Sequence, residues 1–174
     1  DLSGVGTAFG VVTIKYSSAG VPLWTNLYGW GNPSASALAL DSSGNVVVTG
    51  TSGGTNTHND FATIKYSSAG VPLWTSRYNG PGNSADVANA LAVDSSNNVH
   101  VTGYSRGSGG SDAYATIKYS SAGVPLWTNR YNGAGNGPDV ANVVAVDGSN
   151  NVYVTGYSRG SGSYYDYATI KYSS

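Results

Sequence analysis

Two short strings set an aromatic ring beside a guanidinium: Tyr104-Ser105-Arg106-Gly107-Ser108-Gly109 and Tyr157-Ser158-Arg159-Gly160-Ser161-Gly162. A ring that stacks and an arginine that donates hydrogen bonds suit recognition of a sugar. Repeated copies would add avidity beyond the affinity of one site. Tyr104, Arg106, Tyr157 and Arg159 are therefore the candidate ligand-binding residues, with glycan as the candidate ligand. The opposing reading packs each Tyr at a strand edge and leaves each Arg solvated or salt-bridged. The corresponding string, Thr51-Ser52-Gly53-Gly54, has neither Tyr nor Arg, which weakens a repeated site.

Other chemistry is sparse. Lys15, Lys65, Lys118 and Lys171 recur at one position between apolar neighbours. Their expected role is structural, with stems packed along strands and ammonium groups paired with Asp. Asp41, Asp94 and Asp147 open turns, where a carboxylate accepts from backbone amides two residues on. Asp41-Ser42-Ser43-Gly44-Asn45 faintly resembles a calcium loop but lacks the further carboxylates, and the chain has no Glu. His58 and His100 stand at non-equivalent positions, and there is no Cys, so no metal site is expected. No Gly-x-Ser-x-Gly elbow in a strand-to-helix context occurs. With no cluster of acid, base and nucleophile, the expectation is a non-enzyme without a cofactor.

The elements that hold these residues come from a repeat. Thr-Ile-Lys-Tyr-Ser-Ser-Ala-Gly-Val-Pro-Leu-Trp-Thr runs unchanged from Thr13 to Thr25, Thr63 to Thr75 and Thr116 to Thr128, and starts again at Thr169. The lysines give a period of 50 to 53 residues, the signature of a propeller or solenoid. Each unit alternates short apolar runs with Gly, Ser and Asn turn signals, as antiparallel strands do. In the middle copy, strand a covers Val87 to Val93, b Val99 to Thr102, c Tyr114 to Tyr119 and d Val124 to Tyr131. Gly103 to Gly110 is read as the b–c loop. The whole chain reads cd, abcd, abcd, abc, in one domain over residues 1–174, with repeats near 9–36, 37–86, 87–139 and 140–174.

Four antiparallel strands in about 50 residues make a propeller blade. Ala88, Ala90 and Ala92 suit a crowded inner strand. Pro22, Pro72 and Pro125 place strand d at an edge, because proline cannot donate to a ladder. Trp24, Trp74 and Trp127 are large enough to fill the gap between blades at the periphery.

The segments from Ala90 to Ser105 and from Tyr114 to Trp127 resemble the bacterial SBBP beta-propeller repeat, as do Val144 to Ser158 and Tyr167 to Tyr172. The resemblance covers nearly all of the chain after about Phe9. Departures are Asp1 to Phe9, Gly29-Trp30-Gly31 and the loop from Gly53 to Asn59. It implies an all-β propeller of four-stranded blades and no single activity.

About three and a quarter blades cannot close a ring, and open ends leave apolar faces and strand edges bare. The C-terminus offers abc without d; the N-terminus offers d preceded by a spare c. A second copy would complete the blade, and two copies joined twice would make a six-bladed ring. The redundant c strand at each junction must be displaced or added outside. A filament, or a piece of a longer propeller, are the alternatives.

Composition sets bounds. Apolar residues are 40% of the 174, enough for a sizeable core, and charged residues only 10%. Net charge is −1, which argues against a nucleic-acid partner, and no apolar run is long enough for membrane insertion. Abundant Ser, Thr, Asn, Gly and Tyr fit a secreted or cell-surface (extracellular) bacterial protein, and a start at Asp1 fits a removed signal peptide or a fragment of something longer. The expected function is a non-enzymatic structural module whose partner is itself.

Overall fold

The computed structural model describes residues 10–29, 31–53, 58–135, 137–162 and 164–173. Among them are thirteen strands and no helix. They are β1 (Val11–Tyr16), β2 (Pro22–Tyr28), β3 (Ser34–Leu40), β4 (Val46–Gly53), β5 (Asn59–Tyr66), β6 (Pro72–Tyr78) and β7 (Asp86–Val93). Then come β8 (Val99–Arg106), β9 (Asp112–Tyr119), β10 (Pro125–Tyr131), β11 (Val140–Val146), β12 (Val152–Arg159) and β13 (Tyr165–Tyr172).

All pairings are antiparallel between sequence neighbours. They give a β1-β2 hairpin, two four-stranded sheets (β3 to β6 and β7 to β10) and a three-stranded sheet (β11 to β13). These sheets are consistent with propeller blades, and are called here the N-terminal hairpin and the first, second and third blades. Segments 1–9 and 54–57, and Trp30, which depart from the repeat, lie outside the described residues.

Local sequence explains the turns. Asp41, Asp94 and Asp147 each accept from the backbone amides two and four residues on, at 2.8 to 2.9 Å. The turn then needs a left-handed residue, supplied by Gly44, Asn97 and Asn150. The bulge in each innermost strand, between Ala35 and Ala37, Ala88 and Ala90, or Ala141 and Val143, lies over a glycine of the next strand. A Cβ on Gly50, Gly103 or Gly156 would fall within 2.0 Å of a backbone carbonyl oxygen there. Only glycine permits that approach.

Alternation along each strand gives a blade two faces, and each face packs on a neighbour. Between the first and second blades, Val47 and Phe61 meet Val99, Val101, Ala115, Ile117 and Tyr119. Between the second and third, Tyr114 meets Ala141, Val144, Val152 and Val154. Leu91 and Val93 of the inner strand join the former cluster, and Val146 joins the latter opposite Ala90 and Ala92.

Tryptophans close the outer edge as the sequence predicts. Trp24 and Trp74 lie 6.1 Å from Tyr66 and Tyr119 of the following blade. Their indole N–H groups donate to the Ser68 and Ser121 carbonyls at 3.2 and 3.0 Å.

One expected boundary moves. Tyr104-Ser105-Arg106 and Tyr157-Ser158-Arg159 are not loop text; they extend β8 and β12. Tyr104 pairs with Tyr114 and Arg106 with Asp112, and Tyr157 pairs with Tyr167 and Arg159 with Tyr165. Ser and Arg signal a loop by composition. Here Ser105 is fully buried, and Arg130 of the outer strand donates to its hydroxyl and its carbonyl. That tertiary clamp carries the ladder onward.

Candidate functional site: the unfinished ends

The four sequence candidates do not form one pocket. Arg106 is exposed, and its Nε donates to Asp112 Oδ1 at 2.9 Å. The Asp112 hydrogen bond and charge raise its pKa further. Tyr104 is half-buried, and burial first, then the Asp112 charge, pushes its hydroxyl up. It shares a sheet face with Tyr114, whose hydroxyl donates to the Ala168 carbonyl of the third blade at 3.3 Å. Tyr157 and Arg159 occupy the same face of the third blade, where no blade follows. Tyr157 stacks edge-on against Tyr165, with ring centres 5.3 Å apart. Two copies of one string therefore meet different surroundings.

The repeated lysines and aspartates form networks inside the blades. Lys65 Nζ lies 2.8 Å from Asp41 Oδ2, and both side chains are almost fully buried. Burial raises the Asp41 pKa, but hydrogen bonds from Lys65, Asn45 and Ser43 outweigh it and bring the carboxyl down to about 2. In the second blade Asp94 Oδ2 lies 3.0 Å from His100 Nε2 and 3.6 Å from Lys118 Nζ. His100 is fully buried, and that burial, only partly offset by Asp94, lowers its pKa. These side chains are occupied by one another. Among the described residues no three His, Asp or related side chains group as metal ligands.

Sequence reasoning pointed to the open ends but named no residue on their faces. Phe61 and Tyr114 hold one repeat position, each fully buried, and burial pushes the Tyr114 hydroxyl up to about 12. The third residue of that set, Tyr167, is 87% exposed. Thr63 and Thr116 are buried, whereas Thr169 is exposed. Lys171, lacking a following blade, sits over the Tyr153 ring at 5.3 Å.

The other end mirrors this. Leu38 and Leu40 of β3 are 56% and 59% exposed, although Leu91 and Val93 at the same positions pack against the preceding blade. Among the described residues, the hairpin in front of the first blade supplies only the two outer strands. A groove of about 390 Å³ remains where inner strands would lie, lined by Val12, Ile14, Ala37, Leu38 and Val48. Beside it a second opening is lined by Tyr16, Trp24, Leu40 and Val46.

Residues 73–110 match the family model for the SBBP beta-propeller repeat. None of the curated proteins compared with the chain matches it. The matched segment runs from the outer strand β6 through β7 and β8 to the turn before β9, and its residues recur in register in the flanking copies. Residues 73–110 are therefore an SBBP-type beta-propeller repeat within this chain.

Proposed function

We propose that this protein is a non-catalytic interaction module whose first partner is a second copy of itself, each copy completing the other's unfinished blade. The carrying observation is the contrast at one repeat position: Tyr167 is 87% exposed, while Phe61 and Tyr114 are fully buried. Among the described residues, one end has no following blade and the other no inner strands of a preceding one. Val143 and Ala145, exposed on β11, correspond to Ala90 and Ala92, which cover Val144 and Val146. They are the residues that would cover Leu38 and Leu40 of a second copy. Joined twice, two copies make six blades, a closed head-to-tail ring. The glycan reading has less support, because Arg106 is held by Asp112 and the two Tyr-Ser-Arg strings are not equivalent in place.

Light scattering on a size-exclusion column tests this. The expected mass is twice that of the 17.7 kDa chain. Leu38→Asp together with Leu40→Asp should return it to the single-chain mass with the fold intact. A monomer in the unaltered protein would end the proposal, and a growing, polydisperse mass would replace the ring with a filament.

A further inference from the structure

Two copies joined this way hold one strand too many at each junction, since both β13 and the partner's β1 are c strands with the sequence Thr-Ile-Lys-Tyr. We infer that β13 keeps the third position of the shared blade, that the second copy's β2 pairs directly with β13, and that β1 is displaced from β2. This rests on the self-assembly reading above.

Two observations favour β13. It pairs with β12 along eight residues, whereas β1 pairs with β2 along six. The second observation is aromatic. In both complete blades the third and fourth strands bring two rings together: Phe61 with Tyr78 and Tyr114 with Tyr131, each 5.4 Å between centres. In the N-terminal hairpin the partner of Tyr28 is only Val11. Tyr167 of β13 would restore the missing ring.

The register follows from the complete blades. Thr63 faces Ser76 and Lys65 faces Trp74 in one; Thr116 faces Asn129 and Lys118 faces Trp127 in the other. The junction then sets Tyr167 opposite the second copy's Tyr28, Thr169 opposite its Asn26 and Lys171 opposite its Trp24. Lys15 now donates to the Ser68 carbonyl at 2.9 Å, the carbonyl that also accepts from Trp24. Lys171 would take over that contact in the second copy.

Disulfide trapping in the full chain decides the point, because the protein has no cysteine of its own. Directly opposed strand residues lie within reach of a disulfide. Asn26→Cys with Thr169→Cys should give a covalent dimer under mild oxidation. Tyr28→Cys with Tyr167→Cys is the second in-register pair, guarding against a folding defect in the first. Asn26→Cys with Thr13→Cys should stay unbridged in the assembled protein. If that last pair closes within one chain while the mass is still double, β1 has kept its place and the inference fails, though self-assembly stands. If the off-register pair Asn26→Cys with Lys171→Cys traps the dimer instead, the register is wrong. A monomeric mass throughout removes both this inference and the reading beneath it.

Discussion

The second blade and the third blade are nearly the same sequence in opposite situations. Tyr114, Thr116 and Lys118 of the second are covered by a following blade; Tyr167, Thr169 and Lys171 of the third have no such cover. Residue type is therefore not what makes a core here. A repeat unit carries two adhesive faces by construction, and position in the array decides whether a face becomes interior or surface. This leaves the uncovered apolar faces at the ends rather than at a loop.

The largest effect expected from this contrast is in paired truncations. Tyr114→Ala should cost about 3 to 5 kcal/mol, since it empties a filled core site. Tyr167→Ala, measured at dilutions where the chain is single, should change stability by less than about 0.5 kcal/mol. Denaturant unfolding of both variants checks this, and equal losses would break the comparison.

Next is the buried ion pair. Lys65→Met leaves Asp41 as a buried carboxylate without its cation and should cost about 3 kcal/mol. Lys171→Met, at the open face, should be close to neutral in the same unfolding series. The Asp41 carboxyl should also rise from about 2 in the first variant, followed by NMR titration.

A smaller effect is pH-dependent. Burial lowers the His100 pKa in the fold, so between the unfolded and folded values the unfolded chain binds more protons. Stability from this group is whole above about pH 6.5 and falls as pH drops below it toward the folded value. Thermal unfolding between about pH 5 and 8 should show that slope, and His100→Val, which installs the residue found at Val47, should flatten it. A slope that survives the substitution would assign it elsewhere.

The smallest sharpens the junction itself. Arg77 donates to Ser52 and to Asp60, and Arg130 to Ser105, but β2 has Leu27 at that position. In the proposed junction Leu27→Arg would meet Ser158 and Asp166 of a second copy, and it should then tighten self-association by about 1 kcal/mol, roughly fivefold. Sedimentation equilibrium would detect it.

Much of the fold was legible. The Val, Thr and Tyr runs, the Asp-Ser-Ser turns and the edge prolines locate the strands, because period-two patterning and turn chemistry are local. Strand ends were less so. Ser105 and Ser158 sit in strands because other elements bury them, Ser105 under Arg130, and composition cannot report that. Nor could spacing reveal that Arg106 is taken by Asp112, six residues on across a strand pair.

His100 shows the same limit from the other side: it takes the repeat position held by Val47 and Tyr153, and it lies in β8. Only packing shows it fully buried against Asp94 with Lys118 beyond. What the sequence determined by itself was the unit, its copy number and its all-β blade, since a near-identical repeat needs only local rules and a neighbour like itself. What tertiary structure decided was which of those identical faces are spent and which remain open. Burial depends on what stands next in space, and at the two ends of this array none of the described residues does.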